Sequence, residues 1–366
     1  MAATLVGFAG LTAQGQTSET SDLLPLLPQW DHVITLRSAT GYKDNILLSH
    51  AAPQGGAFVT GGAEVLVLRL PTDGTEFNFF GDVDATRYFS SATEHTEVTA
   101  FGLAELKHQF NERWRGLLAA EYFYQDQVID VSVSTTNRES APVIGHTATL
   151  RPGVRLTLSP NWWTSLEVSG TRRLFEQPLD NDWHAQPKAT LGFDYGRGSE
   201  ITLSYEPSWW TFDTDRARTA AGNAITNLGR FRFEQEARLR WKHYWDESRR
   251  WRTTLTVSGR LNEENGGGYY DYSRWLVSAR VRYRKKPWDI YAEARVAGYD
   301  YATQTVSATD PAKRRRTEWS LELHAERQLT QHLTLTAGIE HEEALSNDEL
   351  ETYTVTTVNG GLNWEF

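Results

Sequence analysis

The most restrictive feature of this chain is an alternation of apolar and polar residues with period two that recurs from end to end. In RFRFEQEARLRWK, Phe231, Phe233, Ala237, Leu239 and Trp241 fall on one side, interrupted by Gln235. Arg232, Glu234, Glu236, Arg238, Arg240 and Lys242 fall on the other. WRTTLTVSGRLN likewise sets Trp251, Leu255, Val257 and Leu261 against Arg252, Thr254, Thr256, Ser258 and Arg260. The pattern returns in WLVSARVRYR, IYAEARVA, EWSLELHAE and LTLTAGIE. Period two is a strand signal, because successive side chains leave opposite faces of a pleated backbone. No segment sustains the helical period of 3.6. The runs span about 10 to 15 residues, against ~5–6 for an ordinary globular strand. A strand that crosses a bilayer at a tilt needs ~9–11.

The connections carry the second constraint. PTDGT, NERW, PNWW, GRGSE, DESRR, KKPW and TQH read as tight turns. Between them lie longer polar links, among them SHAAPQGG, VSVSTTNRESAPVIG, QPLDNDWH and DTDRARTAAGNAITNLG. Short and long connections alternate strictly, which a soluble β-sandwich has no reason to do. The expected fold is all-β: a closed antiparallel transmembrane β-barrel of about sixteen strands over residues 31–366, with short periplasmic turns and long extracellular loops. Trp114, Trp162, Trp245, Trp251 and Trp288 crowd the short turns, whereas Trp183, Trp209, Trp275 and Trp319 sit nearer the long loops. Indole rings favour the membrane–water interfaces, so two belts are expected.

Composition narrows the function classes. The chain has 366 residues, 14 Trp, 15 Tyr and 15 Phe, no Cys, and a net charge of −10. Absence of Cys excludes disulfides, thiolate metal sites and a thiol nucleophile. The acidic balance argues against nucleic acid as a partner. Residues 1–16, MAATLVGFAGLTAQGQ, resemble the apolar part and cleavage site of a secretory signal without its basic start, and residues 17–30 would form a periplasmic N-terminal segment. No nucleophile elbow, zinc-protease motif, phosphate loop or dinucleotide fingerprint occurs, so neither an enzyme nor a cofactor is expected. EHEE at 340–343 would split its ligands between two faces of a strand. The acidic stretches 180–183 and 213–215 read as candidate calcium loops or, as short acidic loops usually are, as simply solvated, and no metal site is expected.

Two stretches carry a family resemblance. Val358, Leu362, Trp364 and Phe366 place apolar residues at every second position up to a terminal aromatic. This resembles the C-terminal signature of bacterial outer-membrane proteins, and implies recognition of Leu362, Trp364 and Phe366 by the barrel-assembly machinery. Gly41, Tyr42, Asp44 and Asn45 resemble the G-Y-x-D-N motif on the first strand of barrels encoded beside exopolysaccharide-synthesis genes, with Lys43 replacing the usual acidic residue. That resemblance implies passage of a polysaccharide. By chemistry alone, Gly, Asp and Asn also suit a strand end turning into a loop.

The side chains assigned inward are charged. Arg238, Arg240, Lys242, Arg252, Arg260, Arg280, Arg282 and Arg284 form a basic wall. Glu293, Glu322, Glu326, Glu340 and Glu342, with His324 among them, form an acidic one. Arg238, Arg240, Arg280 and Arg282 are expected at similar depth on adjacent strands. These rows either select a polar solute in a wet lumen or pair with neighbouring strands. The long link at 127–145 either folds inward to constrict the lumen, by its position like the third loop of sixteen-stranded porins, or extends a hairpin above the membrane. The expected function is an outer-membrane channel for polar solutes or a glycan. The alternative is a non-conducting scaffold that anchors periplasmic or surface proteins through its loops or N-terminal segment.

Overall fold

The computed structural model describes residues 30–71, 73–89, 96–131, 140–176, 178–306 and 310–366. The signal-like segment and almost all of the N-terminal segment lie outside these. The strands are β1 (Trp30–Lys43), β2 (Gly56–Arg69), β3 (Thr75–Tyr88), β4 (Thr96–Gln109), β5 (Trp114–Asp130), β6 (Ser140–Thr157), β7 (Trp162–Phe175) and β8 (Asp182–Gly196). They continue as β9 (Ser199–Arg218), β10 (Ala224–Tyr244), β11 (Trp251–Glu264), β12 (Tyr272–Lys285), β13 (Trp288–Thr305), β14 (Lys313–Gln328), β15 (Leu333–Ser346) and β16 (Tyr353–Glu365). Each pairs with its sequence neighbours, and β16 returns to β1, so the sixteen strands close into a barrel.

Closure follows from the last strand. Antiparallel pairing runs from Thr35↔Glu365 to Lys43↔Thr357, and the Phe366 N–H donates to the Ile34 carbonyl at 2.9 Å. A lipid-exposed edge would leave a row of backbone groups unsatisfied in hydrocarbon, so the seam has to be complete. The alternation predicted from sequence sorts as expected. On the outer face Leu203, Leu239, Val257 and Leu261 remain 54%, 47%, 49% and 53% exposed, as lipid-facing side chains must. On the inner face Arg232 and Glu236 are 8% and 4% exposed. Trp114, Trp162, Trp251 and Trp288 project outward beside the short turns, and Trp183, Trp209 and Trp275 project outward toward the long loops.

Two connections differ from expectation. The stretch 213–229 reads as a loop, yet β9 continues to Arg218 and β10 begins at Ala224, leaving residues 219–223 as the link. Its glycine and asparagine serve a bulge, with Asn227 at φ 63° and register shifts around Gly229. Toward its long-loop end the outer face of β9 carries Asp213, which pairs with Arg172 of β7. The other difference is the β5–β6 hairpin. Ladder pairing with β4 stops at Asp126 and with β7 at Gly145, so 127–130 and 140–143 pair only with each other as far as Asp130↔Ser140. Val128, Val131 and Val143 are nevertheless buried, because this end folds into the barrel. Residues 132–139 of the predicted link lie outside the described residues.

Candidate functional site

The inner wall is the site. Asp130 at the end of β5 forms an ion pair with Arg316 of β14, which also pairs with Glu318 at 3.0 Å. β5 and β14 are seven strands apart one way round the barrel and nine the other. A contact between nearly opposite walls means that the hairpin crosses the lumen. The hairpin thus extends past the ladders of its neighbours and reaches inward to β14 at Asp130.

Most of the predicted basic wall is paired. Arg238 meets Glu236 at 2.7 Å, Lys242 meets Glu200 at 2.9 Å, and Arg282 meets Asp289 at 2.5 Å, with Arg284 on the same Asp289 at 3.4 Å. Arg260 bridges Glu234 and Glu236, and Arg280 pairs with Glu293. Such cross-strand pairs solvate the wall and cancel at a distance. Arg240 and Arg252 make no ion pair with a described residue, nor do Arg274 of β12 and Arg295 of β13 on the same inner face. The expected level of the four central arginines is corrected. β11 lies between β10 and β12, and along its ladder Arg280 is level with Thr254 and Lys242, whereas Arg238 is level with Ser258. Arg238 and Arg240 thus sit in different rows from Arg280 and Arg282.

The predicted acids divide in the same way. Glu293 is spent on Arg280, and Glu326 faces His324 at 3.1 Å. Glu322 accepts from the Tyr291 hydroxyl at 2.5 Å and Glu342 from the Tyr353 hydroxyl, and neither meets a cation among the described residues. Glu340 has no ion-pair partner among the described residues. Sequence reasoning passed over two further contributors. Arg37 of β1 is ringed by Asp82 at 2.5 Å, Asp84 at 2.8 Å and Glu64 at 3.5 Å, three carboxylates on one guanidinium. Glu97 of β4 takes the Tyr88 hydroxyl at 2.8 Å. Unpaired lumenal arginines therefore gather on β10–β13, and excess carboxylates on β14, β15 and β1–β4, where Lys43 of β1 also makes no ion pair with a described residue.

The G-Y-x-D-N residues fasten the seam. A Cβ at Gly41 would collide with the Val358 carbonyl and the Phe58 ring, so this close approach needs glycine. Tyr42 points outward. Asp44 accepts the Thr356 N–H at 2.7 Å and returns its own N–H to the Thr356 carbonyl at 3.1 Å. Buried Asn45 donates to the Thr354 carbonyl at 3.0 Å and to that of Ser49 at 2.9 Å. Together they tie the first long link to the last strand.

The carboxylates of the two acidic stretches are engaged by protein groups. Asp182 holds Arg173 at 2.6 Å, Asp213 holds Arg172, and Asp215 holds Arg230 at 2.8 Å. Asp180 accepts two backbone N–H groups and the Thr214 hydroxyl. At 340–343 the strand does split its faces: Glu343 accepts the Trp319 indole N–H, while Glu342 meets Tyr353.

A last cluster was missed although its parity was legible. The inner face at the long-loop end carries Trp210, His184, Phe212 and Tyr270 among Arg173, Arg230 and Arg232. Two adjacent tryptophans on a strand must face opposite ways, so the pair Trp209–Trp210 already put one ring inside.

No family model matches the chain, and no curated protein matches it in sequence. Among solved structures the barrel is similar to OccAB1 of Acinetobacter baumannii, with a TM-score of 0.51 and 9% identity over 93% of this chain and 97% of that one. It also aligns with OccK3 of Pseudomonas aeruginosa (TM-score 0.47, 10% identity, 92% and 96% covered). A third is a loop L8 deletion mutant of OmpT, an outer membrane protein of Vibrio cholerae (TM-score 0.46, 9% identity, 92% and 99% covered). The likeness to OccAB1 is one of fold. With the apolar outer band and the two tryptophan belts, it identifies a bacterial outer-membrane β-barrel.

Proposed function

We propose that this outer-membrane β-barrel is a channel that passes polar solutes through its lumen, between a cationic and an anionic wall and past the inward β5–β6 hairpin. Sixteen strands enclose more space than side chains alone fill. The observation that carries the reading is the separation of unpaired charge into neighbouring sectors of the wall: Arg240 and Arg252 on β10 and β11, and Glu322, Glu340 and Glu342 on β14 and β15. An uncompensated ionised side chain is costly in a dry interior and ordinary beside water. Charges of opposite sign in separate sectors around a water-filled passage orient dipolar solutes, and low-dielectric walls focus their field. A barrel serving only as an anchor has no use for such a separation. Liposome swelling tests the proposal. Vesicles loaded with dextran and carrying the purified barrel should swell in isotonic glucose faster than protein-free vesicles. Equal rates would contradict a channel and favour the scaffold.

A further inference from the structure

Arg232 is the anomaly of the inner wall. It is 8% exposed, yet it makes no ion pair or side-chain hydrogen bond with a described residue, and its Nε is buried without a partner. Glu234 on the same face attracts it but is in contact with Arg260 instead, and a buried cation with no carboxylate in contact is among the costlier arrangements a protein can hold. It is retained where something else supplies the anion.

Its surroundings are built for that. The guanidinium lies over the Trp210 ring at 4.0 Å, and His184 stacks on the same indole at 3.8 Å with an interplanar angle of 15°. Arg230 lies between Tyr270 at 3.6 Å and Phe212 at 4.4 Å. A guanidinium stacked on a ring is held by its face, which leaves its in-plane N–H donors available to an oxyanion. Both arginines line one cavity of about 350 Å³ at the long-loop end of β7–β10. That volume is room for roughly ten waters at ~30 Å³ each, or for a solute of monosaccharide size. Five arginines and three aspartates line it, an excess of two positive charges. The aspartates do a second job. Asp180 and Asp215 each use some of a carboxylate's roughly four acceptor positions, so they retain capacity for hydroxyl groups.

We propose that this cavity binds an anionic sugar, with Arg232 taking the carboxylate or phosphate and Asp180, Asp215 and Thr214 taking hydroxyls. The site would load or release that solute at the extracellular mouth of the channel. It rests on the channel reading only for the onward route, because binding is measurable without flux.

The test is equilibrium dialysis of the full-length barrel in detergent against labelled glucuronate, glucose 6-phosphate and glucose. At least one of the two anions should bind saturably and about tenfold or more tighter than glucose, as expected when a charged hydrogen bond is gained. The tighter of the two assigns the oxyanion. R232Q should weaken that binding about tenfold or more, R232K should weaken it less, and R113Q in a short turn should leave it unchanged. R232Q should keep its heat-modifiable migration, since it removes a charge that has no partner. Should it misfold, the wild type decides alone: the bound anion raises its unfolding temperature and glucose does not. Unaltered binding in R232Q, or glucose bound as tightly as both anions, would overturn the site. Binding without vesicle flux would sink the channel and leave the site; flux without binding would do the reverse.

Discussion

The two halves of the inner wall are built from the same residue types, yet they treat charge differently. On β10–β13, Arg260 and Arg280 are neutralised by a neighbouring strand, while Arg240, Arg252, Arg274 and Arg295 are not. On β14, β15 and β1–β4 the surplus is reversed: Arg37 faces three carboxylates, and Glu322 and Glu342 are met by tyrosine hydroxyls in place of cations. A count of lumenal arginines would credit the first half with a uniform basic wall. The pairing shows that most of that wall is electrically quiet at a distance, and that a few unpaired groups set the field. The hairpin comes from outside both regions and engages the second. It springs from β5 and β6 and is pinned to β14 by Asp130.

The largest change should come from removing that bridge. Replacing residues 127–143 by a short Gly/Ser turn should raise single-channel conductance several-fold, since a lumen sized for sixteen strands would lose its crossing segment. Unchanged conductance would mean that the narrowest point lies elsewhere. Next comes the acidic side. A unit charge about 7 Å from a permeant ion in water is worth about 0.6 kcal/mol, close to RT, or roughly a two- to threefold change in local ion ratio per side chain. E340Q/E342Q should therefore shift the permeability ratio toward anions several-fold at low salt, and less when the Debye length falls to ~3 Å at 1 M. The smallest effect belongs to a pair removed as a pair. R280Q/E293Q leaves net charge untouched and should move selectivity by less than about 1.5-fold, within the dipolar remainder of a contact this short. A shift as large as that of E340Q/E342Q would show that paired residues also set the field.

Much of the barrel was legible because its physics is local. Alternation assigns faces, loop lengths assign the two ends, and Phe366 with Trp364 and Leu362 marks the closing strand; all three depend on residues a few positions apart. The expectations that depend on long-range registration are the ones the structure changes. Arg238 and Arg280 look equivalent along the chain, but Thr254 and Ser258 of β11 set them at different levels. Whether an arginine is quiet depends on a carboxylate that can lie far along the sequence, as Arg37 and Asp84 do. Asp130 and Arg316 are separated by 186 residues and meet only because the barrel closes. Arg232 was placed on the inner face by parity alone, but its lack of a partner is a property of the assembled wall. Turn chemistry misled once: the Gly/Asn content near 227–229 signals a bulge as readily as a loop.

If unpaired cations on β10 and β11 face a water-filled passage, they set the reversal potential of the purified barrel in a planar bilayer under a salt gradient at low ionic strength, measured for wild type and R240Q/R252Q. Both proteins should show discrete conductance steps, and the double variant should shift several-fold toward cations, opposite in sign to E340Q/E342Q. Identical reversal potentials, or no conductance from correctly folded wild type, would contradict this.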